Sequence, residues 1–183
     1  MLIRKTNIKD LSIIESSPYS DDRGAFERIF CANTLSEELA SKSIVQINRS
    51  FTKNRGAIRG MHFQHPPYQE QKFIRCIRGS VFDVVVDLRR GSPTFLQIHS
   101  EILSADNHLM MQVPEGFAHG FQTLQDGSEL LYLHTNFYTP QSEGGVRFSD
   151  PKLNIAWPVA VTDISSRDRS FELISDDFVG IAL

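Results

Sequence analysis

Two alternating stretches carry polar side chains where a plain β core would not want them. In Lys72-Phe73-Ile74-Arg75-Cys76, an extended chain puts Lys72, Ile74 and Cys76 on one side. Between Leu130 and Tyr138, one side collects Leu130, Tyr132, His134, Asn136 and Tyr138. If both sides line a pocket inside a roll, a lysine, a tyrosine and nearby histidines converge, a set suited to moving protons. The alternative is that Lys72 and Tyr132 decorate a solvated outer face, and periodicity does not choose between the two. In Arg59-Gly60-Met61-His62-Phe63-Gln64, a glycine sits near a cation and a histidine, which permits a β-bulge or a close approach of ligand to backbone. Without a bulge, Arg59 and His62 point to opposite faces. His119, in Pro114-Glu115-Gly116-Phe117-Ala118-His119-Gly120-Phe121, follows a tight turn whose glycines can serve the backbone alone. Taken singly, each histidine is more often structural than catalytic.

Metal chemistry is the rival. His62, His65, Glu70 and His119 are ligand types for non-haem iron or manganese. The spacing His62-x-x-His65, however, throws the two rings to opposite faces of a strand, and Lys72 near the centre repels a dication. No metal and no cofactor is expected.

The elements that must position these groups read as strands. Short apolar runs punctuated by Gly, Pro, Asn and Asp recur along the chain. The clearest strand spans about Ser80 to Leu88, with Phe82, Val84, Val86 and Leu88 on one face and Val81, Asp83, Val85 and Asp87 on the other. A strand from Phe73 to Arg78 leads through Gly79 into it, a pattern that predicts a hairpin. Thr34-Leu35-Ser36-Glu37 has capping-box spacing and predicts a helix continuing to Lys42, and the tail after Trp157-Pro158 has room for another short turn of helix. Many strands and little helix predict an all-β sandwich or jelly roll.

Bulk properties narrow the class. A chain of 183 residues, 40% hydrophobic and 22% charged, suits one globular domain spanning 1–183, with no repeat or linker to divide it. At a net charge of -3 it has no global basic field for nucleic acid or anionic membrane, so any phosphate must be held by local arginines. Cys31 and Cys76 form no CxxC pair or disulfide framework, and the opening MLIRKTNIKD has no apolar signal core. A reducing, cytoplasmic setting is expected.

Several motifs then line up in one order: Asp-Asp-Arg23-Gly24-Ala-Phe26, Gln46-Ile-Asn48, Arg59-Gly-Met-His62-Phe-Gln64, Lys72, Val81-Phe-Asp83-Val-Val-Val-Asp87, Pro114-x-Gly-Phe-Ala-His119-Gly-Phe121, Tyr132, Tyr138-Thr-Pro140, Glu143, Trp157-Pro158 and Ser165-Ser-Arg167-Asp168. In that order, over about Ser17 to Asp168, the chain resembles the dTDP-4-dehydrorhamnose 3,5-epimerases, cupin-like enzymes of deoxysugar biosynthesis. The resemblance implies a cupin-like jelly roll, or double-stranded β-helix, with a few short peripheral helices. It also implies a homodimer acting on a nucleotide-diphosphate keto-sugar. It assigns His62 as base, oriented by Asp168, with Tyr132 as acid on the opposite face and Lys72 beside the enolate oxygen; His119 and Asp83 support them. Arg23 and Arg59 are expected on the diphosphate, Phe26 on the base, and Gln46, Asn48, Tyr138, Glu143 and Arg167 among further substrate contacts. The family often has glutamate where Arg28 stands, after Glu27, glutamine where Glu70 stands, and leucine where Met61 stands; His65-Pro66-Pro67 also differs. These departures leave open the nucleotide and whether C3, C5 or both are inverted.

Overall fold

The alternation of apolar residues resolves into thirteen strands and two short helices in the computed structural model, which describes residues 1–183. In chain order these are β1 (Leu2–Lys5), β2 (Ser12–Glu15), β3 (Tyr19–Asp21), β4 (Gly24–Phe26), α1 (Ser36–Leu39), β5 (Gln46–Thr52), β6 (Ile58–Gln64) and β7 (Lys72–Arg78). There follow β8 (Ser80–Asp87), β9 (Ile98–Ser104), β10 (Leu109–Val113), β11 (Phe117–Thr123), β12 (Ser128–His134), β13 (Glu143–Gly145) and α2 (Ser166–Ser170). A six-stranded sheet runs β1-β2-β10-β7-β12-β5, a five-stranded sheet runs β13-β6-β11-β8-β9, and β3 and β4 form a separate two-stranded ribbon. The predicted all-β class is the observed one.

Strand β8 shows why the sandwich holds. Its odd residues Val81 and Val85 pack between the sheets with Ile74, Cys76, Met111, Val113, Phe117 and Phe121. Its even residues Val84 and Val86 pack on the opposite face with Met61, Phe63, Leu153 and Ile181, under the C-terminal tail. Both faces are therefore dry, and a side chain such as Val or Phe buried this way contributes about 1.5–3 kcal/mol. The outer face of the six-stranded sheet is covered in part by α1, whose Leu35 and Leu39 flank Ile14, Phe73, Met110 and Leu133.

Three expectations fail in detail. The turn at Gly79 does not close a hairpin: β7 pairs with β10 and β12, whereas β8 pairs with β9 and β11. One residue is too short to reverse a strand into pairing with itself, so Gly79, at φ +74°, is a corner between sheets. The capping box is not made either. α1 starts one residue later than its pattern predicts, with Leu35 at the N-cap and no side-chain cap, and stops at Ala40 in the left-handed conformation. Finally, the strand read as Leu130 to Tyr138 ends at His134. The predicted C-terminal helical turn is α2, capped by the Ser165 side chain accepting from the Asp168 amide.

Candidate active site

In an antiparallel ladder, residues directly opposite each other project to the same face. On the six-stranded sheet Tyr132 lies opposite Asn48 and Ile74, and His134 opposite Gln46 and Lys72. Gln46, Asn48, Lys72, Tyr132 and His134 thus share the inward face, and the outer-face reading of Lys72 and Tyr132 is excluded. On the five-stranded sheet His119 lies opposite His62, and Phe121 opposite Arg59. Two steps along β11 match three along β6, a bulge that turns Arg59 and His62 to the same side. Gly60 permits it: a Cβ there would stand 2.5 Å from the Gly120 Cα, at φ +129°.

Between the inward faces lies a cavity of about 860 Å³. Its wall includes Gln46, Asn48, Arg59, His62, Lys72, His119, Tyr132, Tyr138, Glu143, Arg167 and Asp168, all candidates from the sequence. Asp83 is not in the wall. It is fully buried behind His119 and reaches the cavity only through that ring. Arg23 and Phe26 are elsewhere: the β3–β4 ribbon holds them in solvent, Phe26 is 73% exposed, and Arg23 pairs with Asp21.

Two His–Asp pairs face the space. His62 Nε2 lies 2.8 Å from Asp168 Oδ1, while Asp168 Oδ2 accepts from the Gly60 amide at 3.0 Å. With Nε2–H given to Asp168, the neutral ring keeps its lone pair on Nδ1. Burial opposes the charge on Asp168, but His62, the Gly60 amide and Ser165 together hold its carboxyl below the usual carboxylate range. Arg167 Nη2 is 3.1 Å from His62 Nε2, and Nη1 is 2.7 Å from Glu143, which also accepts from the Tyr138 hydroxyl at 2.9 Å. The second pair, His119 Nε2 and Asp83 Oδ1, is also 2.8 Å apart. There burial raises the Asp83 carboxyl against the pull of His119 and His99.

Across the cavity, the Tyr132 ring meets His119 edge-on at 6.1 Å. Burial pushes its phenol up, against a smaller opposing effect of the Ser50 hydroxyl, so it stays protonated at neutral pH. Lys72 is almost wholly buried and pairs with Glu70 at 3.0 Å. His134 is a cavity residue to which sequence reasoning assigned no individual role. Its ring stacks near-parallel to Tyr132 at 6.1 Å, and burial, Lys72 and His119 push it down to about 4, keeping it neutral. Its parity with Tyr132 was the available signal. The chemistry open to this arrangement is proton transfer at opposite faces of a guest, with an ammonium alongside. The rival metal set does not form: no three His, Cys, Asp or Glu side chains converge as ligands. Glu70 is taken by Lys72 and His119 by Asp83.

Comparison with known proteins identifies the family and the fold. The family model for dTDP-4-dehydrorhamnose 3,5-epimerase matches residues 5–176. The dTDP-4-dehydrorhamnose 3,5-epimerase of Shigella flexneri is 41% identical over 169 residues, covering 92% of this chain and 93% of that one. Two crystal structures superpose with a TM-score of 0.91. One, from Bacillus anthracis with TDP and PPi bound, is 39% identical over 94% of this chain and 99% of its own. The other, from Legionella pneumophila in complex with dTDP-4-keto-L-rhamnose, is 37% identical over 98% and 97%. With the cupin-like jelly roll and the match running nearly end to end, the chain belongs to the dTDP-4-dehydrorhamnose 3,5-epimerase family.

Proposed function

We propose that the protein epimerises a nucleotide-diphosphate 4-keto-6-deoxyhexose, converting dTDP-4-dehydro-6-deoxyglucose to dTDP-4-dehydrorhamnose. The observation that carries this reading is that His62 and Tyr132, on facing sheets, border one cavity together with Lys72. A hydrogen on carbon beside a ketone is acidic because the electron pair left behind moves onto the ketone oxygen. His62 takes that proton from one face, and Asp168 stabilises the imidazolium that forms. Lys72 stabilises the enolate oxygen, a type of contact often worth 10²–10³-fold, roughly, in rate. Tyr132 returns a proton to the same carbon from the other face, the carbonyl re-forms, and solvent later resets both groups. No metal or cofactor enters the scheme.

Arg59 and Arg167 supply the local positive charge that a chain of net charge -3 needs for a diphosphate. Gln46, Asn48, Tyr138 and Glu143 surround the same space and are read as further substrate contacts. Arg23 and Phe26, exposed on their ribbon, are read as gripping phosphate and base in the site of a second subunit, which makes the enzyme a homodimer. Cys31 and Cys76 are free thiols, which fits a reducing cytoplasm.

The test is incubation with a panel of dTDP- and CDP-linked 4-keto-6-deoxysugars in deuterium oxide, followed by NMR. Deuterium at both C3 and C5 with net inversion of the dTDP sugar is the expected result. Label at one centre only identifies a single-centre epimerase, and no label with any sugar overturns the reading.

A further inference from the structure

Lys72 is held more firmly than a cavity lysine needs to be for charge alone. An ammonium has three N–H donors on a flexible stem. Here the ammonium forms an ion pair with Glu70 Oε1 at 3.0 Å and donates to the backbone carbonyl of His62 at 3.3 Å, with donor capacity left for a guest. Both side chains of the pair are nearly dry, at 11% and 6% exposure, so the contact is neither screened nor exchanged readily with water.

Glu70 is itself fixed. Its other oxygen accepts from the Gln64 amide, whose second N–H reaches the carbonyl of Tyr68 at 2.7 Å. The Gln64 oxygen accepts from the Thr139 amide at 2.6 Å. A continuous brace therefore runs from Lys72 through Glu70 and Gln64 to the segment carrying Tyr138, whose hydroxyl bonds Glu143. The residue in register with Lys72 is His134, a neutral ring that brings no competing charge to the ammonium.

We infer that Glu70 is a positioning residue for the epimerisation. By pairing with Lys72 it fixes where the ammonium stands beside the ketone oxygen, and through Gln64 it ties that position to the loop holding the rest of the substrate. This rests on the epimerase reading of the cavity. Misplacing a catalytic group by about 1 Å can cost on the order of 10²-fold. Glu70→Leu keeps roughly the volume and removes both the charge and the acceptor, whereas Glu70→Gln removes the charge alone.

The experiment follows deuterium wash-in at saturating dTDP-4-keto-6-deoxyglucose, with affinity for dTDP measured alongside. Glu70→Leu should lower the exchange rate constant about 10- to 100-fold and leave dTDP affinity and KM within about twofold. Glu70→Gln, which restores an acceptor and is the residue the family often has here, should recover most of the loss. Lys72→Met and the double variant Lys72→Met/Glu70→Leu should exchange equally slowly, because Glu70 has nothing left to aim. The double variant buries no unpaired charge, so this comparison still decides the matter if Glu70→Leu alone melts below the assay temperature. Wild-type turnover in Glu70→Leu, or a further loss in the double variant beyond Lys72→Met, overturns the inference alone. A wild-type enzyme that exchanges no sugar hydrogen overturns the epimerase reading and this inference with it.

Discussion

The two His–Asp pairs have the same 2.8 Å contact and opposite electrostatics. Asp168 sits on α2 at the cavity wall, receives the Gly60 amide as well as His62, and is held as a carboxylate. Asp83 projects from the middle of β8 into the interior, where its Oδ2 has no partner and burial disfavours the charge. The rings differ in step: the His62 side chain is 27% exposed and His119 6%. Hydrogen-bond length alone therefore does not mark a base. What does is the ability of the partner to stay anionic while the imidazole gains a proton, and the His62 pair has that.

The sharpest way to break this contrast is to remove each ring in turn. His62→Ala should abolish nearly all deuterium exchange at the sugar carbons, a loss of about 10³-fold or more. His119→Ala should cost about 10-fold, the scale of a lost supporting contact and not of a lost base. Losses of equal size would make the two pairs interchangeable.

Removing the carboxylates sharpens the same contrast. Asp168→Asn should slow exchange about 100-fold, since the amide neither stabilises the imidazolium nor fixes its tautomer. Asp83→Asn should change it less than about 10-fold, because His119 keeps an acceptor in a site already unfavourable to charge. Between these in kind lies Tyr132→Phe. It should depress net inversion about 100-fold while leaving initial proton loss within about 10-fold, read as exchange without inversion by NMR. A phenol on the same side as the base would depress both alike.

Much of this architecture was legible in advance, and the failures have physical reasons. Alternation on Ser80 to Leu88 assigned both faces correctly because β8 is dry on both sides and its branched residues suit either. Gly79 announced a turn, but a turn residue does not say whether the next strand pairs with the last or crosses to the facing sheet. Parity grouped Lys72 with Ile74 and Tyr132 with His134, and only the register joined the two groups. The partnership of His62 with Asp168 spans 106 positions and has no local pattern at all; it came from the family resemblance. Arg23 and Phe26 were grouped with the cavity by the same resemblance, yet one chain keeps them on a ribbon apart from it.

The smallest effect is on stability, and there the two carboxylates should act with opposite signs. A carboxyl held low in the folded state stabilises above its unfolded pKa of about 3.9, and that contribution fades as pH falls through the lower folded value. Asp168 is of this kind. A carboxyl raised on folding contributes fully below the unfolded value and loses that contribution as pH rises through the folded one, which describes Asp83. At pH 7, Asp168→Asn should therefore lower the melting temperature and Asp83→Asn should raise it, each by a few degrees, at about 2–4 °C per kcal/mol for a chain of this length. Melts from pH 8 down to pH 4 should show the Asp83→Asn advantage shrinking toward the acid end, with the Asp168→Asn deficit persisting until close to pH 4. Shifts of the same sign at pH 7 would mean that the two pairs are electrostatically alike, and that exposure alone separates base from support.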